Sequence, residues 1–177
     1  LREGFTECFT TSGNREILSK EEIQKRLILC LFAIGTNTGL YRIASASVND
    51  ITLEELKYIK RKFINQDDLR EAITQVVNAI FRIRNPDIWG EATTACASDS
   101  RKFTSWDQNL MSEWHSRYKG AGVMIYWHVS RQSICIYSQL KTCSSSEVAS
   151  MLQGIISQGS NMLIESQYVD SHGKSEL

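Results

Sequence analysis

Proline is nearly missing from this 177-residue chain, with Pro86 the only one. Histidine is scarce, at three, and none of the five cysteines forms a Cys-x-x-Cys pair. Without that pair a zinc ribbon or thioredoxin-type motif is unsupported, and the scattered cysteines read as reduced thiols. Charge of one sign is lacking too, since 20 Lys+Arg offset 20 Asp+Glu. That balance excludes a strongly basic binder working by bulk attraction, but not an enzyme that gathers its basic residues locally. The longest apolar run, residues 27–34, is far too short for a bilayer. No charged stretch leads into an apolar one and a cleavage site, so no secretory signal is expected. Walker, Gly-x-Ser-x-Gly and Gly-x-Gly-x-x-Gly fingerprints are missing, which removes nucleotide-binding and hydrolase-elbow readings.

What is present divides by period. Ser19 with Glu22 and Thr52 with Glu55 form capping boxes, each opening a helix. Ile23, Leu27, Ile28, Leu31 and Phe32 follow the first box at helical spacing, and the pattern breaks over residues 35–39. Leu53, Leu56, Ile59 and Phe63 follow the second, and Leu69, Ile73, Val76, Val77, Ile80 and Phe81 mark a third helix ending before Asn85-Pro86. Lys57, Lys60, Arg61 and Lys62 form the densest basic cluster, read either as a solvated helix face or as a phosphate contact. We expect a helical region over residues 1–88.

Residues 89–177 change character. A strand is expected over 93–98, a helical insert over 105–118, a turn bracketed by Gly120 and Gly122, and strands over 123–129 and 134–137. Ser144 and Glu147 suggest a third capping box before a helix, and 162–169 a last strand ending at Asp170. The order strand-strand-strand-helix-strand brings the last strand back parallel to the first. Asp99 and Asp170, 71 residues apart in sequence, would then open onto one sheet edge, where ligands bind in such folds. Two converging carboxylates repel unless a cation sits between them, and hard oxygen ligands favour Mg2+ or Mn2+. That is the arrangement of an RNase H-like nuclease or transferase core, so the fold class expected is mixed α+β or α/β.

Other residues compete for roles. Asp107 is a rival ligand to Asp99, though it falls within the expected helix. Arg101 and Lys102 follow Asp99-Ser100 and are candidate phosphate contacts, with Lys141 and Arg131 as weaker ones. His172 lies two residues beyond Asp170 and is read either as a DNA or metal-water contact or as a plain loop residue. His128 reads as a half-buried strand residue and His115 as a surface one. Trp89, Trp106, Trp114 and Trp127 read as packing anchors, with one on the insert able to stack on an unpaired base.

The runs TTACASDSRKF (93–103), WDQNLMSEWHSRY (106–118), GVMIYWHV (122–129), IYSQLKTCSSSEV (136–148) and YVDSHGKSE (168–176) closely resemble transposases of the bacterial class II replicative transposons, the Tn-three family. The run LFAIGTNTGLYRI (31–43) resembles the segment ahead of that family's catalytic core. The resemblance implies a DDE-type triad on an RNase H-like fold, with Asp99 as first and Asp170 as second acid. Asp99 would bridge two Mg2+ or Mn2+ ions and Asp170 would ligate one. The third acid, a glutamate, is expected beyond Leu177, because Glu165 and Glu176 lie too close to Asp170. The chain is accordingly expected to be part of a larger bacterial, cytoplasmic enzyme, homodimeric when whole. By that resemblance the whole enzyme would nick 3′ ends of transposon DNA and join them to target DNA, and the segment by itself is expected to be inactive. The alternative is a non-catalytic DNA-binding or assembly module of the same protein.

Overall fold

A computed structural model of the chain describes residues 4–11, 17–46, 51–90 and 94–170. Both expected capping boxes form. The Ser19 hydroxyl accepts from the Glu22 N–H and the Glu22 carboxylate from the Ser19 N–H, opening α1 (Lys20–Gly35). Thr52 and Glu55 do the same for α3 (Leu53–Phe63). Each box satisfies two amide donors that helix geometry leaves unpaired. Between the two lies α2 (Leu40–Ala46), after a turn in which Asn37 and Gly39 take positive φ. The third apolar stripe becomes α4 (Gln66–Ile83), and Asn85 caps the one-turn α5 (Pro86–Trp89).

The chain divides into two compact units, Leu1–Val76 and Val77–Leu177. In the first, Leu27, Cys30, Leu56 and Ile59 have no exposed surface, and they cluster with Phe9, Ile51, Phe63 and Ala72. Burying each large aliphatic side chain stabilises by roughly 1.5–3 kcal/mol. Arg26 ties α1 to α3 through Glu55 at 2.6 Å.

The second unit is built on a five-stranded mixed sheet. β1 (Ala95–Thr104) pairs antiparallel with β3 (Gly120–Ser130), which pairs antiparallel with β2 (Glu113–His115) and β4 (Cys135–Lys141). After α6 (Glu147–Ser157) the chain returns as β5 (Ser166–Tyr168), parallel to β1 and beside it. Helices followed by a mixed sheet make the fold α+β, with strand order matching that of an RNase H-like portion. From Gly122 on, the even-numbered residues of β3 are buried and the odd ones half-buried. The even face lies under α6, and a Cβ on Gly154 would fall 1.8 Å from His128 Nε2. Only glycine allows that approach. Val77, Cys96, Ile134 and Ile136 form a second apolar cluster with Ile80, Phe81, Met162 and Ile164 packed against it.

Three local expectations are corrected. Residues 105–118 form turns and β2 rather than a helix. Trp106, Leu110 and Trp114, spaced by four, find no face to bury and stay exposed. Gly120 and Gly122 lie inside β3 instead of bracketing a turn. The strand can start that early because glycine at 122 tolerates the Phe103 carbonyl, which a Cβ would meet at 2.3 Å. Finally, the cap of α6 is Ser146, whose hydroxyl accepts from the Ala149 N–H, because the Glu147 carboxylate is taken by the Ser100 hydroxyl. Among the described residues no helix is long and apolar enough to cross a membrane.

Candidate active site

Asp99 does not end its strand. It sits in the fifth position of the ten-residue β1, opposite Trp127 of β3. What ends there is the partner on the other side, since β5 pairs only with Ala95, Cys96 and Ala97. Beyond Ala97 that edge of β1 is open among the described residues. The β1–β5 register joins Ala95 to Ser166, an offset of 71 residues, the same as that from Asp99 to Asp170. Asp170, two residues past the end of β5, thus comes to the level of Asp99 on the opened edge. Both carboxylates line one cleft of about 520 Å³, together with Ser100, His115, Arg117, Tyr118, Met124 and Glu147.

Four hydrogen bonds hold the cleft in place. The Ser100 N–H donates to Asp99 Oδ1 at 2.6 Å, fixing the carboxylate against its own strand. The Ser100 hydroxyl donates to Glu147 Oε1, tethering the first turn of α6 to β1. Gln167 Nε2 donates to Ser98 Oγ at 2.7 Å, and that hydroxyl also meets the Tyr126 hydroxyl at 2.9 Å. Asp170 is therefore carried on a strand tied to β1 by a side-chain bridge as well as by its short ladder.

The electrostatics report the convergence. Burial pushes the Tyr126 phenol up, and the negative charges of Glu147, Asp99 and Asp170 push it further against the Ser98 hydrogen bond. Three carboxylates thus act on one hydroxyl. Lys141 is buried, its ammonium 5.6 Å from the Tyr126 ring centre. Desolvation lowers its pKa, with Glu147 partly restoring the charged form.

The sequence candidates therefore separate. Asp99 and Asp170 come together. Arg101 is exposed on the opposite sheet face from α6, its guanidinium 6.0 Å from the Phe103 ring centre. Lys102 faces the other way, toward Gly120 and Tyr118. Lys141 is buried, so a phosphate would meet it only at depth. His172 lies outside the described residues, as does Glu176. Asp107 stands on the turns after β1, in a shallow recess with Thr104, Ser105 and Trp106, away from the cleft lining. His128 is fully buried rather than half-buried. Sequence reasoning missed Glu147 and Tyr118 as cleft residues, and it read His115, which also lines the cleft, as a surface one. The signal for Glu147 was its place at the start of the helix that follows the hairpin.

Asp99 and Asp170 supply hard oxygen donors of the type Mg2+ and Mn2+ prefer. Among the described residues no group of three His, Cys, Asp or Glu side chains is close enough to cage an ion. The pair fits half of such a centre.

The profile of a family described as the Tn3 transposase DDE domain matches residues 1–177. The chain is 26% identical over 174 residues to the transposase for transposon Tn1546 of Enterococcus faecium, covering 98% of this chain and 17% of that protein. It is 28% identical over 184 residues to the transposase for transposon Tn2501 of Escherichia coli, with the same coverage of 98% and 17%. A third relative, the transposase for transposon Tn501 of Pseudomonas aeruginosa, is 23% identical over 174 residues, 96% of this chain and 17% of that protein. The chain thus spans about 17% of the length of these relatives. No solved structure matches.

Proposed function

The chain belongs to the Tn3 transposase DDE domain family, and on that premise we propose that it carries two of the acids with which a transposase nicks and joins DNA. The observation that supports this most is the shared register. Asp99 and Asp170, remote in sequence, line one cleft at the same 71-residue offset that pairs β1 with β5. The substrates in this reading are the 3′ ends of transposon DNA and a target duplex.

Asp99 and Asp170 would hold Mg2+ or Mn2+, with a further glutamate from elsewhere in the whole protein completing the donor set. When bound, the metals lower the pKa of the attacking water or 3′-hydroxyl and neutralise the leaving oxygen in an in-line displacement at phosphorus. The chain's own residues do the positioning. Ser100 fixes the Asp99 carboxylate through its N–H, and Glu147 fixes Ser100 through its hydroxyl. Gln167 holds β5, and with it Asp170, against Ser98. Arg101 and Lys102, following Asp99 on β1, are the proposed phosphate contacts, each facing a different side of the strand. Lys141, buried beside the Tyr126 ring and not among the cleft-lining residues, is the weaker proposed contact.

The test is Asp99→Asn or Asp170→Asn in the whole transposase. Both nicking and joining should fall by more than about 100-fold, the upper range for losing even an outer-shell partner of a metal ligand. Binding to transposon-end DNA should persist. Retained joining by either variant overturns the assignment. The alternative is a binding or assembly module with idle carboxylates. Calorimetry separates the two, because the catalytic reading requires Mg2+ or Mn2+ binding that Asp99→Asn weakens.

A further inference from the structure

Between β1 and β3 the chain leaves the sheet and returns as β2, and this segment carries an unusual surface. Trp106 is 82% exposed and Trp114 68%, with Leu110 and Tyr118 also exposed. These side chains stand on an ordered scaffold. The Ser105 and Ser112 hydroxyls bridge the two ends of the excursion at 2.8 Å, and turns close from Trp106 to Asn109 and from Asn109 to Ser112. Trp114 is fixed by β2, where it pairs with Ala121. Exposed aromatic surface held in place in this way marks a binding surface rather than a failed core.

Its charge distinguishes among partners. Residues 101–119 hold Arg101, Lys102, Arg117 and Lys119 against Asp107 and Glu113, a surplus of two positive charges in a chain whose net charge is zero. One of the two acids is already engaged, since Glu113 accepts the Ser144 N–H at 2.8 Å. Arg117 and Lys102 both approach the Tyr118 ring, at 5.7 and 5.9 Å from its centre. Cations interleaved with aromatic faces suit a chain of phosphates and bases, because each base offers a π-face and each linkage a negative charge.

Position completes the picture. His115, Arg117 and Tyr118 line the cleft that holds Asp99 and Asp170. By register, Trp114, Phe103, Arg101 and Asp99 all lie on one sheet face. Along β1, Asp99, Arg101 and Phe103 follow at about 7 Å intervals. An aromatic and cationic row thus leads to the first carboxylate along the face away from α6, while His115 reaches the cleft on the other face.

We propose that residues 105–119 hold unpaired nucleotides of DNA beside the cleft, with Trp106 and Trp114 as stacking faces and Arg117 and Lys119 as phosphate contacts. This rests on the reading of the cleft as a DNA-processing site, and it adds that the DNA there is locally opened.

The experiment compares two probes on the whole transposase, a duplex transposon end and the same end with a short unpaired fork carrying 2-aminopurine. Trp106→Ala and Trp114→Ala should each weaken binding to the fork by roughly 5- to 150-fold, the range for losing one stacked base. Affinity for the plain duplex should stay unchanged, and the 2-aminopurine signal of the bound fork should shift toward that of free probe. Trp114→Phe, which keeps an aromatic face, should recover most of the fork affinity. Arg117→Gln should reduce the slope of log affinity against log salt by about one. Equal loss on both probes, or no loss on the fork, overturns the proposal. So does a change in oligomeric state with fork affinity intact, which would assign the aromatic surface to a contact between copies. Asp99→Asn keeps the two readings apart. It should abolish nicking while preserving fork preference, and an active Asp99→Asn enzyme would sink the catalytic reading without touching the stacking one.

Discussion

The two units of this chain bury different chemistry. The cluster of the helical unit is apolar, with Leu27, Cys30, Leu56 and Ile59 fully enclosed and polar groups mostly kept to caps and to the Arg26–Glu55 pair. The sheet unit encloses Ser98, His128, Ser130, Gln132, Lys141 and Ser150. Apolar clusters depend on volume and tolerate changes of solution conditions. Polar interiors depend on partners and protonation, so they respond to both. The unit that bears the proposed chemistry is the one with the polar interior.

Three experiments sharpen that contrast. The largest effect is expected in the helical unit, where Leu56→Ala removes a side chain with no exposed surface. Denaturant unfolding should show a loss of roughly 2–5 kcal/mol. A loss within that range at pH 7.5 and again at about pH 5.5 would establish that volume alone governs this core. Next comes Gly154→Ala, which places a Cβ 1.8 Å from the His128 ring. Overpacking of this type costs about 1–3 kcal/mol, against a helix-propensity gain of up to about 1 kcal/mol. A variant more stable than the parent would mean that α6 does not seat on β3 as described.

The smallest effect concerns pH. Burial lowers the pKa of His128, with the Ser150 backbone acting weakly in the other direction, and its ring nitrogens lack a well-formed hydrogen bond. The folded state then binds fewer protons than the unfolded chain. The stability this contributes is complete above the ordinary histidine value of 6.5 and is lost as pH falls below it. Melting temperature should drop through that window, and His128→Phe should flatten the drop. A parent and variant with identical acid profiles would locate the sensitivity elsewhere.

Much of the helical unit could be read locally. Ser19–Glu22 and Thr52–Glu55 each specify a helix start within four residues, and the structure builds both. The parallel return of β5 beside β1 was also legible, because a helical crossover between strands leaves few alternatives. What escaped was set by distant partners. Trp106, Leu110 and Trp114 repeat at helical spacing, yet β2 forms because Trp114 finds Ala121 across a ladder. Asp99 was expected at the end of a strand over residues 93–98. β1 runs on to Thr104 because β3 pairs with it throughout. Glu147 looked like a cap partner for Ser144, and only the tertiary fold reveals Ser100 as its actual one.

The three-residue ladder between β1 and β5 has a further consequence. Strand registers change in whole steps. A slip of one residue would turn Asp170 to the other side of the sheet, and a slip of two would carry it about 7 Å past Asp99. No partial misalignment lies between these, so the carboxylate pair behaves as a combination lock with a single tumbler. Gln167, bonded to Ser98 one step before Asp99, is the pin that keeps count.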